Sequence, residues 1–195
     1  MIPIPVQRLP ESARDAYRDH LLALPPPDVY LRFGNALPPE RIAGYADGIN
    51  FDTDVVFGVH DEALQLLGAA HVAFADDGAE LGLSVLPASR GRGIGSALFE
   101  RSAQHVRNRF EYRLYMYCLA ENAAMMRIAR RAGMKVVVDA GDADAFLQLA
   151  PANPASITSE TLANRMAVFD YALKAQSDMV RRMGRAFGGT DGASE

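Results

Sequence analysis

Residues 90–96 read Arg-Gly-Arg-Gly-Ile-Gly-Ser, a combination of types and spacing suited to holding a phosphate. Gly91, Gly93 and Gly95 carry no Cβ to shield the backbone, so successive N–H groups can converge on one anion. An amphipathic stretch, 94–107, begins inside the loop, and the unpaired amides and positive dipole end of that helix face the same point. Arg90 and Arg92 add two permanent cations. Two better-known nucleotide patterns fail. A dinucleotide fingerprint needs a third glycine where Ser96 stands, and a P-loop needs a Gly-Lys pair that the loop lacks. The bland alternative is a glycine-rich turn whose arginines face water, and only the surrounding elements decide against it.

Those elements come in a consistent order. The apolar run Leu81 to Leu86 precedes the loop, with Leu81, Leu83 and Val85 on one face of a strand and Glu80, Gly82 and Ser84 on the other. Periodicity and turn residues predict helices over 11–23 and 38–46, the first ended by Pro25-Pro26-Pro27. Strands are expected over 55–59, 64–75 and 79–86, then the helix 94–107, a strand 113–119, a helix 122–132, and strands near 134–138 and 144–149. An antiparallel meander followed by alternating helices and strands gives an α/β domain with a mixed sheet, not a doubly wound one. Pro151-Ala152-Asn153-Pro154 reads as the boundary between a domain of residues 1–150 and an extension of residues 151–195. In that extension Leu162, Met166, Phe169, Leu173, Gln176, Val180, Met183 and Phe187 alternate four and three apart, the a and d spacing of a heptad helix. Such a helix either lies back on its own domain or pairs two copies as a homodimer through residues 158–187. Gly188-Gly189 is expected to stop it, and residues 190–195 to form a tail without order.

Composition narrows the classes. A chain of 195 residues can hold one good core. The net charge of −4 argues against nucleic acid as a partner, since phosphate contacts need a basic face. One cysteine, Cys118, excludes an internal disulfide and fits a reducing compartment. No apolar run reaches the ~20 residues of a membrane span, and Met-Ile-Pro-Ile-Pro lacks the pattern of a signal peptide. The expectation is a cytoplasmic protein with no membrane partner. His20, His60, His71 and His105 show no metal-ligand spacing, so no metal is expected.

The spacing Arg90-x-x-Gly93-x-Gly95 resembles the acyl-CoA signature of the GNAT acetyltransferase superfamily, Gln/Arg-x-x-Gly-x-Gly/Ala. The likeness extends to the strand 79–87 before the loop, the strand 114–119 after its helix, and the asparagine-led helix from Asn122 to Gly133-Met134. More narrowly, Tyr30-Leu31-Arg32-Phe33 and Ile49-Asn50-Phe51-Asp52 look like the acetyltransferase domain of bacterial protein-lysine acetyltransferases. The resemblance implies the GNAT fold, acetyl-CoA as cosubstrate, an amine acceptor, and an N-acyltransferase working by direct attack in a ternary complex.

It also implies roles. The strands before the loop and at 114–119 would part and take the pantetheine arm between them. A bulge at 84–86 would present backbone amides of Val85 and Leu86 to the thioester carbonyl, with Leu86 as the oxyanion donor. The amides of Gly91, Arg92, Gly93, Ile94, Gly95 and Ser96 would hold the pyrophosphate beside Arg90, and Asn122 would contact the pantetheine arm or an ordered water beside it. Glu80 is the general-base candidate, since an amine with a reference pKa near ~10.4 must lose a proton before attack. The family's usual acid, a tyrosine seven residues after the asparagine, is replaced by Ala129. Tyr117 is carried as the substitute, with Tyr115, Ser84 and Cys118 behind it. Asp52 and Asp54 are candidates to attract the cationic amine, and Arg127, Arg130 and Arg131 to touch the adenosine 3′-phosphate. A non-catalytic acyl-CoA-binding or sensor module is the alternative that Ala129 supports.

Overall fold

The computed structural model of the chain describes residues 3–139 and 141–187. Strand β1 (Gln7–Leu9) leads through a 3-10 turn into helices α1 (Arg14–Leu22), α2 (Pro26–Phe33) and α3 (Pro39–Asp47). The meander β2 (Val55–His60), β3 (Leu66–Ala75) and β4 (Gly78–Val85) follows. Then come α4 (Ile94–Asn108), β5 (Arg113–Leu119), α5 (Ala123–Arg131), β6 (Lys135–Asp139), β7 (Asp142–Gln148) and α6 (Pro154–Phe187). Among the described residues the strands make one sheet in the order β1-β2-β3-β4-β5-β7-β6, with β4 and β5 its parallel pair. The expected α/β class with a mixed sheet is what forms.

Each face of the sheet carries its own core. On one side α4 and α5 set Ile94, Leu98, Phe99, Val106, Met125 and Ala129 against Val55, Phe57, Leu81 and Met116. On the other, α1 to α3 bring Tyr17, Leu21, Val29, Ile42 and Ala46 onto Val56, Leu66 and Ala69. The stripe Tyr17, His20 and Leu21 on α1 is the i, i+3, i+4 pattern of a helix with one buried face. Arg14 ties this layer together by donating to the carbonyls of Ala46, Asp47 and Ile49, which caps the C-terminal end of α3.

Two sequence expectations change, and a third is not tested. Helix α2 is absent from the expected elements: the prolines that stop α1 also start α2, because Pro at the first helical positions costs no hydrogen bond. The strand placed from Leu64 begins at Leu66; Leu64 has φ +62° in a turn that Asp61 closes by accepting from the amides of Ala63 and Gln65. The expected stop at Gly188-Gly189 and the tail 190–195 lie outside the described residues.

Helix α6 docks in cis by a polar stripe and not by its heptad seam. Ser156, Glu160, Ala167 and Asp178 are buried on the domain, and Lys174 donates to the carbonyl of His60. Glu160 is the anchor: it accepts from Arg101 (3.0 Å), His105 (2.7 Å) and Asn108 (2.6 Å) of α4. The seam faces away, with Leu162, Met166, Phe169, Leu173, Val180 and Met183 each about half exposed or more.

Candidate functional site

The site begins where two strands stop pairing. β4 and β5 are in register only at Ala79–Leu114 and Glu80–Tyr115; beyond that point they run apart toward Val85 and Leu119. The β3–β4 hairpin fixes which backbone groups face the opening. Ala75 pairs with Gly78 across Asp76-Asp77, and in an antiparallel ladder the hydrogen-bonded residues then alternate. Glu80, Gly82, Ser84 and Leu86 therefore turn their N–H and C=O groups toward β3, and Leu81, Leu83 and Val85 turn theirs into the split.

This parity corrects the oxyanion expectation. The Leu86 amide donates to the Leu67 carbonyl at 2.9 Å, so it is spent inside the sheet. Val85, one residue earlier, faces the split, and its carbonyl already accepts from Arg90 Nε on that side. A small pocket of about 10 Å³ lies in the opening, lined by Leu31, Arg32, Leu81, Gly82, Leu83, Tyr117, Cys118 and Met125.

At the mouth of the split lies the glycine loop. Gly91 and Gly93 have φ of +74° and +84°, left-handed backbone that glycine adopts without strain. Gly93 is the N-cap of α4 and offers no side-chain cap, so among the described residues no side chain satisfies the first-turn amides of Ile94, Gly95 and Ser96. Gly95 serves packing instead, because a Cβ there would lie 3.2 Å from Ile128, and its smallness lets α5 approach α4. Arg92 is exposed at the loop. Arg90 is turned away from it, with its guanidinium paired to Asp28 of α2 at 2.6 Å.

Asn122 also meets α2. Its side-chain carbonyl caps α5 by accepting from the Met125 amide at 3.2 Å, and its amide donates to the Leu31 carbonyl at 3.4 Å. Helix α2 thus lies over the split, held at one end by Arg90 and at the other by Asn122.

The acid and base candidates flank the same opening. Glu80 is exposed at the last paired position of β4, the apex of the split. Tyr115 and Tyr117 share one face of β5 with stacked rings 6.4 Å apart, as strand alternation predicts. Partial burial, then the charges of Glu80 and Asp144, push the Tyr117 phenol above its usual pKa and keep it protonated. Burial raises the Cys118 thiol as well, with Asp144 adding to it. Ala129 is fully buried on the inner face of α5, and its methyl group has no proton to give. Asp52 is exposed, and its amide donates to Asn50, whereas Asp54 is committed to His71 at 3.1 Å.

Two buried polar chains carry no signal in the sequence pattern. Ser84 meets His20 Nε2 at 2.9 Å while His20 Nδ1 lies 3.0 Å from the Leu66 carbonyl. A carbonyl only accepts, so Nδ1 carries the proton and the Ser84 hydroxyl donates to Nε2. The second chain runs Arg32–Tyr45–His71–Asp54, with distances of 3.0, 2.7 and 3.1 Å. Burial holds both histidines below their ordinary pKa, hence neutral. Among the described residues no cluster of His, Cys, Asp or Glu has the makings of a metal site.

Comparison with known proteins agrees with this geometry. A family model described as the Acetyltransferase (GNAT) family matches residues 6–134. No curated protein matches the chain by sequence. Among solved structures, the GNAT domain of S. lividans PAT superposes with a TM-score of 0.62 at 20% identity, over 74% of this chain and 89% of that one. The ribosomal-protein-S18-alanine N-acetyltransferase of Escherichia coli gives 0.57 at 16%, over 76% and 96%. A putative acetyltransferase of Salmonella typhimurium, solved with its cofactor acetyl-CoA, gives 0.55 at 17%, over 74% and 93%.

Proposed function

The chain belongs to the GNAT acetyltransferase family, acyl-CoA-dependent transferases, and on that premise we propose that it moves an acetyl group from acetyl-CoA to a primary amine by direct attack in a ternary complex. One observation carries the reading. The parallel strands β4 and β5 part after two residue pairs, and the uncapped start of α4 sits at the mouth of the gap they leave. The split takes the pantetheine arm as a strand would be taken. The amides of residues 91–96, with Arg92, hold the pyrophosphate, and Asn122 lies beside the arm.

The Val85 amide supplies the fixed N–H for the thioester carbonyl, a term worth a few kcal/mol in acyl transfer of this type. Glu80, at the apex, draws the proton from the incoming ammonium directly or through water. Tyr117, kept protonated by its surroundings, delivers a proton to the departing thiolate, which also leaves tolerably unaided. The acceptor is a small-molecule amine or a protein lysine; the 30–33 and 49–52 segments support the latter by their likeness to protein-lysine acetyltransferase domains. The protein works in the cytoplasm. Among the described residues no helix is long and apolar enough to cross a membrane. Two copies pair through the heptad seam of α6, which the cis docking leaves uncovered.

The buried Ala129 favours a second reading, a module that binds acyl-CoA without turnover. Calorimetry with acetyl-CoA, followed by a thiol-release assay over a panel of amines, separates the two. Binding with turnover, lost in Glu80→Gln, supports the transferase. Tight binding with no turnover on any amine or protein lysine supports the sensor.

A further inference from the structure

Arg32, at the inner wall of the split, is a cation with no counter-ion among the described residues. It projects from α2 onto the backbone of Gly82, where a Cβ would collide with the guanidinium. Glycine at that strand position is what admits the group. Its partners are neutral: the Tyr45 hydroxyl at 3.0 Å, the Tyr17 hydroxyl beside it, and the rings of Phe33 and Tyr45, whose centroids lie 4.9 and 5.5 Å from the guanidinium carbon. Its Nε is buried with no hydrogen-bond partner, and it joins no ion pair among those of the described residues.

The neighbours cannot supply the missing charge. Asp54 lies behind Tyr45 and His71 and is already bonded to His71. The proton order is fixed along that chain. Asp54 accepts from His71 Nε2, so Nδ1 accepts from the Tyr45 hydroxyl, and the Tyr45 oxygen accepts from Arg32. His20 is committed in the same way to Ser84 and Leu66. Donors remain unspent on Arg32, and it lines the pocket together with Tyr117 and Cys118. A desolvated guanidinium is stabilised best by a planar anion that takes two parallel N–H bonds, and a carboxylate has that geometry.

We propose that Arg32 is a binding residue for a carboxylate that enters the split from the α2 side, carried either by the acceptor amine or by the acyl group of the donor. The proposal rests on the acyl-transfer reading and names the chemistry of the ligand that the same site selects. An acceptor of this kind is an amino acid or a related amino-carboxylate. A donor of this kind is a dicarboxylic mono-thioester.

Two kinetic arms on the wild-type protein distinguish the sources. One compares amino acids with their own carboxamides as acceptors of acetyl-CoA, and the other compares succinyl-CoA with butyryl-CoA on a fixed amine. A charged hydrogen-bonded partner is expected to raise kcat/KM about 10- to 100-fold in one of the arms. Arg32→Gln should bring that ratio close to one, with Arg32→Lys intermediate, a readout that a purely structural arginine would not move. Equal kcat/KM for charged and neutral members in both arms overturns the proposal, whether or not the variants fold.

Binding separates failure of the site from failure of the enzyme reading. N-acetylglycine and N-acetylglycinamide are titrated against the full chain, with thermal unfolding as readout. Stabilisation by the acid alone, abolished in Arg32→Gln, keeps the carboxylate site even if no acceptor releases thiol. Equal response to the acid and the amide removes it.

Discussion

Replacing Glu160 by glutamine removes the charge that pins α6 to the domain, and the cost follows from the contacts. Burial alone would raise the pKa of this carboxylate. Hydrogen bonds from His105, Asn108 and Arg101 more than reverse that and hold it at about 2, against an ordinary 4.5. That gap corresponds to about 3 kcal/mol at ~1.36 kcal/mol per pKa unit. The side chain is 11% exposed, so solvent screens part of the field, and about 2–3 kcal/mol is the working figure. Glutamine keeps the shape but leaves Arg101, itself 6% exposed, without its anion. In a chain of this size each kcal/mol moves Tm by about 2–4 °C, so the variant should melt about 5–10 °C below wild type at pH 7. The sign with pH is fixed. A folded-state pKa below the unfolded one gives stability that is complete above the unfolded value near 4.5 and is lost as pH falls toward 2. Thermal unfolding followed by circular dichroism should show a constant gap from pH 7 to about 5 and a closing gap below that. A gap under about 1 °C at pH 7, or one that widens on acidification, would refute the reasoning.

Four further outcomes follow from the same geometry. Phe169→Asp, at a seam position 66% exposed, should turn a dimer into a monomer in sedimentation and remove the concentration dependence of Tm. Glu80→Gln should lower kcat by about 10²- to 10⁴-fold with the calorimetric affinity for acetyl-CoA unchanged, as loss of a general base predicts. Gly93→Ala puts a Cβ at φ +84°, a strain of about 1 kcal/mol, and should weaken acetyl-CoA binding several-fold in calorimetry. Ala129→Tyr should not restore an acid. Ala129 is fully buried, so the ring overpacks the core and lowers stability by about 1–3 kcal/mol in denaturant unfolding.

Local signals are the legible ones. The left-handed glycines of the loop, the strand alternation that pairs Tyr115 with Tyr117, and the helix that opens at Asn122 are all set by neighbours a few residues away. Helix α2 is hidden because Pro25 to Pro27 read as a terminator when they also serve as an initiator. Val29 and Phe33 one turn apart and Gly34 at φ +71° are the available signs of it. The Leu86 amide, expected to face the split, turns toward β3 instead, because side-chain alternation says nothing about backbone parity. Counting from the two-residue turn Asp76-Asp77 supplies that parity and points to Val85.

What no local pattern carries are partners distant in sequence. Arg90 reads as a phosphate ligand until α2 brings Asp28 to it. The Arg32–Tyr45–His71–Asp54 chain is assembled from two helices, a strand and a loop. The heptad seam of α6 is visible as a pattern, but the polar stripe that docks the helix, Glu160 above all, carries no signal of its own in a sequence of ordinary charged residues.

On the proposed function, the loop at 90–96 and the split beside it bind acetyl-CoA so that an amine can take its acetyl group. Mass spectrometry of a reaction containing the full chain, acetyl-CoA and a pool of amines tests it most directly. An N-acetylated amine should form in one-to-one ratio with free CoA thiol, and Glu80→Gln should give neither product at a comparable rate. Acetyl-CoA consumed without an acetylated amine, or left intact with every acceptor, would contradict it.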